Sequence, residues 1–301
     1  MFQLTKSMKL TKEEMGRKSP WSMIVWFILT GVVSSLVLGI LLGPILVILS
    51  SGQALTGAEI ESKYGLLVNM LTFPVQLICL LLVNKYYYKK SFASLGFFKE
   101  QRVTKYLKGM LIGGGALFVV YLLNLLFGTV TTVFNTQTNF FTILVLLLAF
   151  GVQGMTEEVL ARSLLMNMFS ARKGVVFGIL LNSLLFAGLH LMNPGLTVLS
   201  FVNLFLFGLL FSLLFYWSDN IWLTGAAHSL WNFVMGPILG IEVSGLVIRQ
   251  PMFITTSLPG KEWLNGGNFG LEGGIFTTVF GVVACLVLLK LCQNKELIQK
   301  K

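Results

Sequence analysis

Two long stretches without a charged residue constrain the fold of this chain more than any other feature. No Asp, Glu, Lys or Arg occurs between Lys108 and Glu157, or between Lys173 and Asp219. Each interval exceeds the roughly 20 apolar residues that one helix needs to cross the hydrocarbon layer of a membrane. The chain as a whole is 55% hydrophobic and only 11% charged, which is outside the usual range of globular domains. The sequence therefore predicts a polytopic membrane protein.

Chain-breaking segments divide the apolar sequence into eight predicted helices. A Thr- and Asn-rich piece at 129–139 interrupts the first uncharged interval, and Asn193-Pro194-Gly195 interrupts the second. We expect an all-α fold, a transmembrane helix bundle of about eight spanning helices. The predicted spans are residues 21–49, 64–84, 106–127, 140–170, a fifth ending near 191, 196–217, 221–239 and 274–291, with a polar loop at 50–63.

The distribution of basic residues supports this division and predicts that both termini face the cytoplasm. Of the 22 Lys and Arg residues, 18 fall in the segments that this topology places inside. The outside loops hold only Lys63, Arg249 and Lys261, and Arg162 lies within a span. The net charge of +10 thus reflects membrane topology, and no nucleic-acid partner is expected. The apolar run from Trp21 is expected to be a retained helix, with a cleaved signal as the alternative.

Three ionisable residues lie within the fourth predicted span, in the run Glu157-Glu158-Val159-Leu160-Ala161-Arg162. A charged side chain at this depth costs roughly 2.5 to 3.5 kcal/mol on insertion scales and usually has a function and a partner. Glu158 and Arg162 are four residues apart on one helix face, so we expect them to form an ion pair. Glu157 points elsewhere and is free to act as a base. The alternative is a purely structural ion-pair cluster.

Both histidines of the chain also lie in apolar segments. His190 follows Phe186 by one turn, and Asn232 follows His228 by one turn on the seventh predicted helix. Taken singly, each of these residues is compatible with a hydrogen bond between helices. Together with Glu157 they supply a base, two imidazoles and an amide donor from three helices. These are the groups that a hydrolase needs to activate water and stabilise an oxyanion.

These motifs, in this order, resemble the CPBP family of intramembrane proteases, which includes CAAX prenyl protease 2 and the bacteriocin-processing Abi type. The pattern is Glu-Glu-x-x-x-Arg, then Phe-x-x-x-His, then His-x-x-x-Asn, and it covers residues 140–239. Residues 94–97 and 267–273 show weaker similarity to bacterial members. The predicted regions are a basic tail at 1–20, a three-helix region at 21–127, a catalytic core at 140–239, an extracytoplasmic loop at 240–273, and a final helix with a basic tail at 274–301.

The resemblance implies an endopeptidase in which Glu157 deprotonates water with help from His190. His228 and Asn232 would form the oxyanion hole, and Glu158, Arg162 and Phe186 would support the site. Members are commonly described as metalloproteases. We expect no bound cofactor, although two His and a Glu make zinc an alternative. The expected partners are membrane lipid and a peptide or membrane-protein substrate, and the expected location is a bacterial plasma membrane.

Two other functions remain open from the sequence. The first is a non-catalytic membrane regulator or bacteriocin-immunity partner, which would use the same fold without cleavage. The second is a proton-coupled transporter in which Glu157 and His190 relay protons. The second is disfavoured because the sequence shows no clear internal repeat.

Overall fold

A computed structural model describes residues 1–49 and 57–299 and shows a helical bundle with one small sheet. Three helices end in or pass through a π-helical segment, at Val83–Tyr87, Val159–Met166 and Val234–Ile238. The elements are α1 (Lys6–Glu14), α2 (Ser22–Leu49), α3 (Gly57–Leu82), α4 (Arg102–Leu126), β1 (Val130–Phe134), α5 (Phe140–Glu158), α6 (Asn167–Lys173), α7 (Val175–Gly188), α8 (Val198–Ser218), α9 (Ile221–Phe233), β2 (Phe253–Ser257), α10 (Glu262–Asn265) and α11 (Ile275–Asn294).

The predicted helical membrane bundle is confirmed. Within the described residues, six helices are long and apolar enough to cross a membrane. The helix Phe140–Lys173, which includes α5 and α6, is the longest of them. The other two predicted spans, α7 and α9, form shorter helices, so the count of eight crossings stays a prediction. The second predicted helix begins earlier than expected, at Gly57, because Ala, Glu and Lys favour helix. The remainder of the predicted polar loop, 50–56, lies outside the described residues.

A two-stranded antiparallel sheet occurs where the sequence analysis expected only loops. β1 pairs with β2, with Thr132 opposite Thr255 at the centre of the register. Both strands consist of Val, Ile, Thr, Phe and Ser, and β-branched and aromatic residues favour extended pairing. The sheet ties the connection between α4 and α5 to the long loop that precedes α11. Both connections therefore lie on one side of the bundle.

The two ends of the chain meet on the other side of the bundle. The Gln3 amide donates to the carbonyl of Leu297 at 2.8 Å. The carboxylate of Asp219, in the turn between α8 and α9, accepts hydrogen bonds from Thr5 and Ser7 near the start of α1. If the chain crosses the membrane an even number of times, its two ends must lie on the same side, as they do here. That this side faces the cytoplasm stays a prediction.

Helix α9, which carries His228, is packed tightly between α4 and α5. Small residues permit this approach, as is common between membrane helices. A Cβ on Gly113 of α4 would overlap the carbonyl group of Ala227, and a Cβ on Gly154 of α5 would lie 2.5 Å from the Ser229 nitrogen. The glycines therefore set the distance between α9 and the helix that carries the two glutamates.

Replacing Gly113 tests this close contact. Gly113→Ala should lower the free energy of unfolding by about 1 to 3 kcal/mol, because α4 and α9 must separate. Gly115→Ala is the matched control on the same helix, since no described residue comes within 4 Å of a Cβ placed there. Thermal unfolding of the two purified variants in detergent measures the change in stability that each substitution causes. Equal melting temperatures would contradict the packing described.

Candidate active site

The adjacent carboxyl groups of Glu157 and Glu158 have different surroundings. They lie at the point where α5 passes into the π-helical segment Val159–Met166, a distortion that often marks functional sites. The Glu158 side chain is fully buried, whereas that of Glu157 is 21% exposed and faces an internal cavity. The sequence-based expectation of two separate environments thus matches the geometry.

Glu158 belongs to a buried cluster with Arg162 and His228. Arg162 Nη1 donates to Glu158 Oε1 at 2.8 Å, which is the predicted ion pair. The other terminal nitrogen of Arg162 donates to the carbonyl oxygen of Gly208 at 3.2 Å. The guanidinium also lies over the ring of Phe186, with 4.8 Å from its carbon to the ring centroid. The charge on Glu158 is therefore neutralised locally, and Phe186 contributes a cation–π contact.

The orientation of His228 follows from Glu158. The ring nitrogen Nδ1 lies 2.9 Å from Glu158 Oε1, and a carboxylate can only accept, so Nδ1 carries the proton. The second nitrogen, Nε2, faces Glu157 with 3.7 Å to Oε2. The Phe211 ring packs against the imidazole at a centroid distance of 5.0 Å. His228 is thus held in one ring orientation between the two glutamates.

His190 lies in the turn after α7 and is oriented by the main chain. Its Nδ1 is 2.9 Å from the carbonyl oxygen of Phe186, so this nitrogen donates and Nε2 is the acceptor. His190 and Glu157 both line a cavity of about 230 Å³ between α3, α5 and α7. The structure therefore brings the predicted base and the predicted assisting imidazole to the same cavity.

Asn232 reaches this site only through Gln153, a residue that the sequence analysis did not identify. The Asn232 amide donates to Gln153 Oε1 at 3.0 Å, and Gln153 Nε2 donates to Glu157 Oε1 at 2.6 Å. Gln153 lines the cavity, whereas Asn232 is buried behind it. The sequence feature that could have identified Gln153 is its position one helical turn before Glu157, on the same face of the helix.

The site residues do not form a three-ligand metal centre. Among the described residues, no three His, Cys, Asp or Glu side chains meet in an arrangement that could hold a metal ion. Glu158 is paired with a guanidinium, and Nδ1 of His228 is bonded to Glu158.

The fold and the site together define a polytopic membrane protein with a carboxylate and imidazole cluster beside an internal cavity. Residues 138–234, about a third of the chain, match the family model described as type II CAAX prenyl endopeptidase Rce1-like. This match confirms the predicted resemblance to the CPBP family of CAAX-type intramembrane proteases over that segment. The matched segment contains all three motifs. No curated protein and no solved structure gives a significant match.

Replacing Arg162 tests the buried ion pair. Arg162→Met leaves the Glu158 carboxylate in an apolar interior without its cation, so the free energy of unfolding should fall by about 3 to 5 kcal/mol. Adding Glu158→Gln to the same protein should restore a large part of this loss. Arg172→Met, at an exposed position of α6, is the control and should have little effect. Melting temperatures in detergent decide the comparison, and an unchanged value for Arg162→Met would refute it.

Proposed function

We propose that this protein is a membrane-embedded endopeptidase in which the Glu157 carboxylate activates the attacking water. The observation that carries the proposal is that Glu157 and His190, from α5 and from the turn after α7, line one internal cavity. The family match supports peptide hydrolysis in general. The reaction needs a base beside the scissile carbonyl and a donor for the developing oxyanion.

Glu157 is suited to the role of base because one of its oxygens is fixed. Gln153 donates to Oε1, whereas Oε2 lies 3.7 Å from Nε2 of His228. A water molecule bound to Oε2 would pass its proton to this carboxylate as it attacks the peptide carbonyl carbon. The Nε2 atom of His190 would assist by accepting a hydrogen bond from the same water. The proton then leaves with the amine of the cleaved bond.

His228 and Asn232 are the proposed oxyanion donors. Glu158 beside Nδ1 stabilises a positive imidazole, and a protonated Nε2 donates to the oxyanion. The amide of Asn232 is bonded to Gln153, so a direct role requires it to turn from Gln153 towards the cavity. In the arrangement described, Asn232 acts on Glu157 through Gln153.

The cavity walls are suited to a peptide main chain. Asn69 and Gln76 on α3 and Asn193 after α7 line the cavity opposite or beside Glu157, among apolar residues such as Phe73 and Leu160. An amide side chain offers both a donor and an acceptor, as a peptide group does. These walls favour an extended peptide segment, supplied by a peptide or by a membrane protein.

We further propose that the enzyme is of the metal-free glutamate type and acts in a bacterial plasma membrane with both termini inside. The residues that face the cavity supply one carboxylate and one imidazole, which suits general-base chemistry. The excess of Lys and Arg in the predicted inner segments supports the orientation.

Glu157→Gln tests catalysis directly. A strain that carries this variant should release the cleaved peptide at a level at least ~100-fold below the wild-type strain, because general-base catalysis is lost. The measurement is a quantitative comparison of membrane and secreted peptides by mass spectrometry, with Glu100→Gln as the control at an exposed position. If the Glu157→Gln strain has the same peptides and the same phenotype as the wild-type strain, the protein is better explained as a non-catalytic membrane regulator.

Chelation tests the metal-free mechanism. Cleavage by the purified protein in liposomes should be unchanged by 1,10-phenanthroline, since no step is assigned to a metal. The substrate is the uncleaved precursor of the peptide found by comparing the two strains. Loss of activity on chelation, restored by added zinc, would show that the enzyme is a metalloprotease.

A further inference from the structure

Glu272 is a buried carboxylate that lies outside the three family motifs. It occupies the turn Leu271–Gly273 before α11, and only 5% of its surface is exposed. Oε1 accepts a hydrogen bond from the indole Nε1 of Trp231 at 3.0 Å. Oε2 accepts one from the Ser244 amide at 3.1 Å and another from the Ser244 hydroxyl at 2.6 Å. Both oxygens are therefore used, and hydrogen bonds to a carboxylate are among the stronger ones in proteins.

These bonds connect Glu272 to both histidine-bearing parts of the site. Trp231 lies on α9 between His228 and Asn232. The carbonyl oxygen of Ser244 accepts from the side chain of Asn193 at 2.8 Å, and Asn193 follows His190 in the turn after α7. A single carboxylate thus joins the helix that carries His228 to the turn that carries His190.

Ser244 is held in an unusual conformation by these contacts. Its φ of +48° lies in the left-handed region, which is uncommon for a residue other than glycine. Its neighbours Val243 and Leu246 line the cavity. Backbone strain of this kind persists only where surrounding contacts enforce it. The two bonds to Glu272 therefore fix the segment that forms one wall of the cavity.

The turn that presents Glu272 is itself anchored to the bundle. Asn203 on α8 donates to the carbonyl oxygens of Glu272 and Gly274 at 2.7 and 2.9 Å. Thr277 donates to the carbonyl oxygen of Leu271 at 2.6 Å. The carboxylate is thus presented from a rigid support.

We propose that Glu272 is a positioning residue of the active site, which holds His190 and His228 in their working arrangement through Ser244 and Trp231. This proposal rests on the proposed function, since the arrangement matters for peptide hydrolysis. Residues that orient the groups of a catalytic site from behind typically contribute 10- to 100-fold to activity. We expect Glu272 to contribute to the rate of cleavage within this range.

Cleavage in cells gives the first test. Glu272→Gln keeps the size of the side chain but loses the charge and one strong acceptor, so the peptide that depends on Glu157 should fall by about 10- to 100-fold. Glu262→Gln is the matched control in the same loop, at an exposed position, and should leave the peptide unchanged. Wild-type cleavage by Glu272→Gln would overturn the proposal.

Histidine spectra give a second test that does not need the substrate. Because the chain has two histidines, full-length protein labelled only at the Cε1 atom of histidine should show two ring signals by NMR in detergent. Glu272→Gln should move both signals, and Glu262→Gln neither. Trp231→Phe should move mainly the His228 signal, and Ser244→Ala mainly the His190 signal. Lost cleavage with unmoved signals would also overturn the positioning role, because the loss would then arise elsewhere.

The two tests separate this proposal from the proposed function. If Glu157→Gln retains cleavage, the catalytic role of Glu157 fails, and the histidine signals still decide whether Glu272 positions the rings. If Glu272→Gln does not fold, Trp231→Phe and Ser244→Ala take its place, since each removes part of the same network. Unmoved signals in both of these variants would then refute the proposal.

Discussion

The buried contact between Glu158 and Arg162 is the interaction on which the rest of the site depends. Charges in an apolar interior must be paired and hydrogen bonded, and the guanidinium pairs with Glu158 one turn before it and also contacts groups on other helices. It bonds to the carbonyl of Gly208 on α8 and packs on Phe186 of α7, while Glu158 bonds to His228 on α9. One ion pair thereby fixes the relative positions of four segments and sets the place of Glu157.

The short helix α9 lies in the interior of the bundle. α9 is buried between α4 and α5, so most of its side chains contact protein and it does not depend on lipid contact along its length. Polar residues such as His228 and Asn232 are therefore shielded from lipid by neighbouring helices. This arrangement reduces the cost of polar groups at membrane depth, because each finds a partner in the bundle.

The sequence predicted the helices, the ion pair and the motif residues because each rests on a local pattern. Apolar runs predict helices, and a spacing of four predicts contact on one face, as between Glu158 and Arg162. The sheet, the bond from Asn232 to Gln153 and the contacts of Glu272 depend on partners far away in the chain. Glu272 bonds to Trp231 and Ser244 from a loop whose composition suggests exposure to solvent, and a neutral amide such as Gln153 is not unusual in a membrane helix.

The two imidazole rings are oriented in the same way, by an acceptor bonded to Nδ1. This similarity is visible only in the three-dimensional structure. Each ring has its Nδ1 fixed by an acceptor, Phe186 for His190 and Glu158 for His228, so in each ring Nε2 is the nitrogen left for other partners. The orientations of the two rings are therefore set before a substrate arrives, which is the preorganisation that lowers a reaction barrier. Gln153 fixes one oxygen of Glu157 in the same way. Because these constraints come from acceptors and donors behind the reacting groups, the residues behind the cavity determine the chemistry as much as those that line it.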